Sequence, residues 1–434
     1  MSNIKDTLKE IILENQEQLP LDLVPRDLEI ERIPKKATVV LGIRRSGKTS
    51  LLQEYISGLV EGGLNRNLVC QIDFSDDRLI SINEEAPGVV ADAYYELFPE
   101  AHDSKVYFLF DEIQYLNGWE LLVNRILNTE KCEVNITGSS SKLLLDETSS
   151  VLGGRKMGWN LYCYSYREFL RAKGELCESI FSRKFKDSQP GLFKEYLSVG
   201  GFPESLLFSK DNTRRIFFQN TANDIIFRDI VLRHDVSKPE ALKTMVNVLA
   251  SMIGGLMTES KLYQRLSGMH VAISKPTMSR YLDYIAGSYA FFFIPIRSYN
   301  LAVQATNGRK VYSADHALAN AISGLSPNNV GQKLENIVFL HLKRKTDMVF
   351  FYKTESGFEV DFASGPDDDI CLVQVCADIS SSDILTRETR SLEEAMKELD
   401  VKESVIVTLS EEKDIALEAG IIHVVPAWKY LLGD

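Results

Sequence analysis

A chain of 434 residues with 44% hydrophobic and 25% charged residues has ordinary soluble, globular make-up and room for about two to four domains. A net charge of −12 excludes a surface coated with positive charge for nucleic acid, and no apolar run is long enough to span a bilayer, residues 289–296 coming nearest. The charge is uneven: residues 331–434 hold 21 acids and 11 bases, whereas residues 258–310 hold 7 bases and 2 acids.

The first eighteen residues are polar and of mixed charge, unlike a signal peptide, and the protein is read as cytoplasmic. Ile4, Leu8, Ile11 and Ile12 give residues 3–18 one apolar helical face, and prolines at 20 and 25, with another following at 34, mark residues 19–32 as a loop. The six cysteines form no C-x-x-C pair. Several, such as Cys70 and Cys371, sit in apolar runs and read as buried thiols, not a disulfide frame. The six histidines are scattered, which argues against a His/Cys metal site.

Residues 38–41 are a β-branched apolar run, and Gly42-Ile43-Arg44-Arg45-Ser46-Gly47-Lys48-Thr49 comes next without a break, fitting G-x-x-x-x-G-K-[ST]. Leu51, Leu52, Tyr55 and Ile56 then continue at helical spacing. Strand, glycine loop and helix make an anion cradle from backbone N–H groups and the positive end of the helix. In it Gly42 and Gly47 provide the turns, and Arg45, Ser46 and Ser50 line the loop. Lys48 reaches the terminal phosphates of ATP, and Thr49 offers its hydroxyl to Mg²⁺.

Residues 67–74 read as a second strand, with Asp73, Asp76 and Asp77 at its end serving a solvated turn or, less simply, facing the nucleotide. Val106-Tyr107-Phe108-Leu109-Phe110 runs into Asp111-Glu112, a buried strand ending in two acids 62 residues after Thr49. Asp111 is placed to hold Mg²⁺ through water and Glu112 to polarise the attacking water. The strand 132–137 ends in Gly138-Ser139-Ser140-Ser141. Thr137 and Ser139 are candidates for sensing the γ-phosphate, while Ser140 or Ser141 equally suits the cap of a helix at residues 142–145.

The P-loop, Phe-Asp-Glu-Ile-Gln at 110–114 and Ile-Thr-Gly-Ser-Ser-Ser-Lys-Leu-Leu at 136–144 together resemble a prokaryotic AAA-type ATPase family. Its members carry a C-terminal winged helix and a restriction-endonuclease-like domain. Leu152-Gly153-Gly154-Arg155, Tyr166-Arg167-Glu168-Phe169-Leu170, Gly200-Gly201-Phe202-Pro203-Glu204 and Ile226-Phe227-Arg228-Asp229-Ile230 extend the resemblance over nearly the whole chain. It implies an α/β fold with an additional-strand parallel sheet, the strand of residues 132–137 lying between those of the two motifs. It also implies an ATPase whose Arg155 reaches the nucleotide in its own or a neighbouring chain, or else pairs structurally. Arg228 is open to the same two readings, with Asp224 and Asp229 as near partners. Self-association is a further implication.

Residues 167–236 are helix-rich, anchored by Phe169, Leu170, Phe181, Phe193, Tyr196 and Leu197, and suit a lid that turns nucleotide state into movement. Residues 239–253 are another amphipathic helix. Thr258 and Ser274 then cap two helices separated at Gly268, and residues 290–296 form a strand: helix, turn, helix, wing. Lys275, Thr277, Ser279 and Arg280 on the second helix are candidates for DNA contact, and the basic segment supports that partner; packing or dimerisation is the alternative.

The end of the chain reads as strand 349–352, strand 359–362, a turn at Asp367-Asp368-Asp369, strand 371–376, helix 386–399 and strand 404–408. That order resembles the restriction-endonuclease fold. Asp361 and Glu335 are present, but Gln374 and Cys376 replace the Glu-x-Lys of active members. An amide is a poor ligand for a hard metal ion and a thiol lacks lysine's charge, so cleavage is not expected. The expected divisions are an AAA-type core at 1–165, a helical lid at 166–238, a winged helix at 239–310 and an inactive nuclease-like domain at 311–434.

Overall fold

The protein is described by a computed structural model covering residues 4–17, 23–140, 152–177, 182–324 and 329–433. Ser141, the helix expected at residues 142–145 and Phe181 lie outside the described residues. The chain forms two compact units, Met1–Leu161 and Tyr162–Asp434.

The first unit is built on a five-stranded sheet of β1 (Ala37–Leu41), β2 (Val69–Asp73), β3 (Val106–Asp111), β4 (Cys132–Gly138) and β5 (Lys156–Asn160). Its order is β2-β3-β4-β1-β5 and every pairing is parallel. The strand between those bearing the two nucleotide motifs is therefore β4, as an additional-strand sheet requires. β1 is wholly buried and β3 nearly so, which explains their near-continuous apolar sequences. Helix α1 (Ile4–Glu17) buries Ile4, Leu8, Ile11 and Ile12, the face its spacing predicts. Helix α2 (Lys48–Glu61) buries Leu52 and Ile56, and these pack with Val69 and Leu109. Helices α3 (Val89–Leu97) and α4 (Trp119–Thr129) complete the crossovers. β5 is not anticipated by the sequence pattern. Its Lys-Met-Gly-Trp-Asn has no alternation and only intermediate burial, as an edge strand can have.

The second unit begins with helices. Tyr166–Ala172 opens with a capping box between Ser165 and Glu168, and Arg183–Val199 ends at Gly200, whose φ of 77° only glycine adopts freely. Phe169, Leu170, Phe193 and Tyr196 are buried, as expected of anchors. Residues Ile225–Leu232 are wound as a π-helix, the i→i+5 geometry that periodicity arguments do not anticipate.

Helices Glu259–Gly268 and Lys275–Gly287 come next, capped by the side chains of Thr258 and Ser274 as predicted. A three-stranded antiparallel sheet, β6 (Leu256–Met257), β8 (Arg309–Ser313) and β7 (Phe291–Ile294), lies beside them in the order β6-β8-β7. Residue 310, after which a division is anticipated, lies inside β8.

The last sheet has six strands in the order β13-β14-β12-β11-β10-β9. They are β9 (Val349–Lys353), β10 (Glu359–Ser364), β11 (Cys371–Val375), β12 (Glu403–Thr408), β13 (Lys413–Leu417) and β14 (Gly420–Pro426). β11, β12 and β14 are mutually parallel and the outer pairs antiparallel. Helix Ser382–Leu399 covers this sheet through Leu392, Ala395 and Met396. Glu335 sits within the helix Val330–Lys345.

All six cysteines are free. Cys70 and Cys163 are buried, but Cys371 is exposed at the start of β11, which corrects the expectation of a buried thiol there. No described helix is long and apolar enough to cross a membrane.

Candidate functional site

The carboxyl ends of β1, β3 and β4 gather most of the predicted nucleotide-site residues. Leaving β1, the backbone passes so close to Leu161 that a Cβ on Gly42 would lie 2.2 Å from its carbonyl oxygen. Arg45 and Gly47 take left-handed φ values of 65° and 98°, and the loop closes with Ser46 N–H donating to Ile43 O at 3.2 Å. Arg26, to which no sequence motif gives a role, donates to Ser46 O at 2.8 Å. Gly47 precedes α2 and provides no side-chain cap, so the first N–H groups of that helix need another acceptor. Ser46 is fully buried and its Oγ has no hydrogen-bond partner in the protein. An orphaned hydroxyl beside uncapped, loop-directed N–H groups fits a phosphate cradle. Ser50 is half-buried in the first turn of α2.

Lys48 is almost wholly enclosed. Its ammonium donates to Gly42 O at 3.1 Å and Ile43 O at 3.2 Å, and lies 3.5 Å from Glu112 Oε1. Asp111, at the end of β3, accepts from the hydroxyls of Thr49 and Thr137 on its two carboxylate oxygens. Burial pushes the Asp111 carboxyl above its ordinary value, and those two hydroxyl bonds oppose the shift. Glu112 has a left-handed backbone, with φ 48°, and its N–H donates to Thr137 Oγ1 at 3.0 Å. Thr137 thus joins both acids to the tip of β4. The donor set of a hydroxyl (Thr49) and a carboxylate (Asp111) suits a hard divalent cation.

Gln114, the last residue of the Phe-Asp-Glu-Ile-Gln motif, is a second member of the site that the motif itself does not announce. It lies in the single turn Ile113–Tyr115 after Glu112, donates to Glu112 Oε2, and has its nitrogen 3.5 Å from Ser139 Oγ. Ser139 and Ser140 are both buried.

Arg155 is not part of this cluster in its own chain. Its carbonyl accepts from Ala37 N–H at the amino end of β1, and its guanidinium donates to the side chains of Asn124 and Asn128 on α4. The phosphate loop is at the other end of β1, about 13 Å away along a five-residue strand. The expectation that Arg155 serves the nucleotide of its own chain is therefore corrected. Arg228 is exposed on the π-helix, where Asp229 lies 3.7 Å from Arg233.

In the second unit, Lys275 and Arg280 are exposed on their helix. Thr277 Oγ1 lies 2.8 Å from Ser274 Oγ, and Ser279 Oγ is 3.5 Å from Glu259.

The six-stranded sheet also gathers polar residues, around a lysine that no sequence motif singles out. Lys310 of β8, 2% exposed, places its ammonium 2.7 Å from Asp361, 3.0 Å from Glu359 and 3.2 Å from Glu335. Tyr312 donates to Glu335 at 2.7 Å. Gln374 accepts from Asp361 N–H at 3.0 Å and donates to Glu388 at 2.7 Å. Cys376 turns to the carbonyl of Asp378. Burial and the neighbouring Asp361 push the Glu335 carboxyl up to about 7, and the three carboxylates hold the Lys310 ammonium well above its usual range against the cost of burial. Among the described residues no group of His, Cys, Asp and Glu is arranged to hold a metal ion.

Residues 34–170 match an AAA domain, residues 191–329 a domain of unknown function (DUF8612) and residues 330–430 another (DUF4143). An uncharacterized protein of Methanocaldococcus jannaschii is 30% identical over 444 aligned positions, covering 100% of this chain and 96% of the relative. One of Haemophilus influenzae is 31% identical over 360 positions, covering 82% and 85%. Among solved structures, the Aeropyrum pernix ORC1 protein in complex with DNA overlaps 74% of this chain and 91% of its own, at 13% identity and a TM-score of 0.29. That overlap is too slight to bear on partners.

Proposed function

Since the chain belongs to the family of these archaeal and bacterial relatives and carries an AAA domain in a parallel P-loop sheet, we propose that it is an Mg²⁺-dependent ATPase, with hydrolysis moving its parts against one another on DNA. The observation that carries the reading is the convergence of Lys48, Thr49, Asp111, Glu112 and Thr137 at the carboxyl edge of one sheet. Lys48, now held by two loop carbonyls, exchanges them for phosphate oxygens. Thr49 and Asp111 would hold Mg²⁺, which when bound neutralises phosphate charge. Glu112 takes a proton from water as the water oxygen bonds to the γ-phosphorus. The bond from that phosphorus to the β–γ bridging oxygen breaks, and ADP leaves with phosphate as the second product.

Phosphate release measured with Mg²⁺ and ATP tests this. Lys48→Ala lowers turnover about 10²–10³-fold, and Glu112→Gln retains nucleotide while slowing release about 10²-fold or more. Turnover in Lys48→Ala equal to the parent's would end the reading. DNA as partner rests on exposed Lys275 and Arg280 in the basic segment, and is tested by release rates with single-stranded, duplex and no DNA.

A second reading, a slow ATP-operated switch or scaffold, draws on one observation: both Glu112 oxygens already have partners. A Glu112→Gln protein that holds ATP with no loss of any function would favour it. Cleavage of nucleic acid by the six-stranded sheet is not proposed, since Lys310 occupies the space among its carboxylates.

A further inference from the structure

A cleft in the second unit gathers polar groups that ATP hydrolysis leaves unused. It lies between the helices Pro239–Ala250, His316–Ser323 and Val330–Lys345, and its empty space, open mouth included, is about 360 Å³. That is the small end of the range for ligand sites. Its polar lining is His316, Asn320, Ser323, Asn329, Gln332 and Lys333, and among the described residues no acid lines it. The side chains of Asn320, Gln332 and Lys333 make no hydrogen bond or ion pair among the described residues. Asp315, whose charge bears on Lys333, is already taken by the N–H groups of Gly201, Ala317 and Leu318 at 2.6, 2.8 and 2.9 Å. Burial draws the Lys333 ammonium below its ordinary value, with Asp315 opposing. A half-buried cation without a carboxylate against it gains from any anion that enters.

His316, 3% exposed, sets a second condition. Its Nε2 is 2.9 Å from Tyr196 O, and a carbonyl only accepts, so Nε2 carries the proton. Burial holds the imidazole below its ordinary value, which keeps it neutral and makes Nδ1 an acceptor. Nδ1 has no hydrogen-bond partner among the described residues, and the ring lines the cleft. A buried acceptor left so calls for a donor. The first turn of the helix Val330–Lys345 adds its positive end, and Asn329 places no side-chain cap on it.

We propose that this cleft binds a small oxyanion that also carries a hydroxyl, as a phosphate group or a 2-hydroxycarboxylate does. The anionic oxygens meet Lys333, the amides of Asn320 and Gln332 and the first N–H groups of the helix Val330–Lys345. The hydroxyl donates to His316 Nδ1. The site draws no residue from the unit that holds the P-loop and is independent of ATP hydrolysis.

The test uses the full chain carrying Lys48→Ala, so that the P-loop competes less for phosphate. Inorganic phosphate, lactate and acetate are titrated by calorimetry at neutral pH and constant ionic strength. Phosphate or lactate is expected to bind with a Kd of about 1 mM or tighter, and acetate, which has no hydroxyl, about 10-fold or more weakly. The tighter of the first two tells a phosphate group from a hydroxycarboxylate. Adding Lys333→Met weakens that binding about 10-fold or more, whereas Lys333→Arg keeps it within about threefold. Urea unfolding of the second unit separates lost binding from lost fold: the tighter probe raises the midpoint when Lys333 is present and not in Lys333→Met. Reductive methylation of Lys333, read by mass spectrometry of its peptide, needs no substitution at the cleft and is slowed by the same probe. Saturable binding of neither phosphate nor lactate, acetate binding as tightly as both, Lys333→Met binding within about twofold of its parent, or methylation of Lys333 indifferent to the probe would each overturn the proposal.

Discussion

Lys48 and Lys310 are both enclosed beside carboxylates, and the way each is enclosed separates a site that exchanges partners from one that does not. Lys48 has two neutral carbonyls at 3.1 and 3.2 Å and a single carboxylate oxygen at 3.5 Å. A phosphate can replace all three at a gain in charge pairing. Lys310 points at a different carboxylate with each of its three donors, at 2.7, 3.0 and 3.2 Å, from strand β10 and from the helix Val330–Lys345. Nothing arriving from solvent improves on that. The first arrangement spends stability on binding capacity, and the second fixes β8 against the last sheet.

The comparison breaks most sharply on substitution. Lys48→Ala is expected to lower ATP turnover about 10²–10³-fold, read as phosphate release, because an oriented cation at a developing phosphate charge has no substitute nearby. Lys310→Met leaves the enclosed carboxylates of Glu335 and Asp361, and the partly exposed one of Glu359, without their cation. It is expected to cost about 3–5 kcal/mol in urea unfolding of the full chain, followed through the transition of the second unit. A Lys310→Met protein within about 1 kcal/mol of the parent would mean that the cluster is solvated and that the two lysines are held alike. Replacing cation and acids together, as Lys310→Met with Glu335→Gln and Asp361→Asn, is expected to return part of the loss, since a buried ion cluster exchanged for neutral groups is often close to neutral.

A smaller effect sharpens the same contrast through pH. Burial and the neighbouring Asp361 favour retention of a proton on Glu335, against the Lys310 ammonium and the hydrogen bond from Tyr312, and push it up to about 7. Its pKa in the folded chain lies above its unfolded value, so the folded state binds the extra proton. The stability this contributes is fully present below about 4.5 and is lost as pH rises through about 7. Stability of the second unit measured by urea unfolding should fall across that window, and Glu335→Gln should flatten the dependence. A parent protein whose stability rises between those two values while Glu335→Gln behaves identically would contradict the assignment.

Legibility in the sequence divides along the same line. The P-loop is legible because its parts are contiguous: residues 42–49 carry their own turn chemistry, and Asp111-Glu112 ends an unbroken apolar strand. The pattern also anticipates the face of α1 and the caps at Thr258 and Ser274. Lys310 is not legible, because its partner Asp361 is 51 residues away and a lone lysine in Arg-Lys-Val-Tyr-Ser reads as the exposed position of a strand. Gln114 stands inside a motif yet gains its meaning only from a left-handed Glu112, which no composition shows. Arg155 carries a role by resemblance, and the parallel pairing of β5 with β1 sets it at the far end of the sheet from the loop.

Lys275 and Arg280 offer a third arrangement, cations with little to hold them. Both are exposed; Lys275 only approaches the Tyr263 ring, at 5.4 Å. Such groups gain from a polyanion chiefly by releasing its condensed counterions, so their effect on affinity is modest at any one salt concentration and visible as salt dependence. Each substitution, Lys275→Ala or Arg280→Ala, is expected to reduce the slope of log binding constant against log salt by about 1 for a duplex of arbitrary sequence. Fluorescence anisotropy of labelled duplex over a salt series measures it. An unchanged slope in both variants would remove this helix from contact with DNA and leave packing as the role of the basic segment. A reduced slope would place the loosely held cations, and not the enclosed Lys310, where the chain meets phosphate beyond its P-loop.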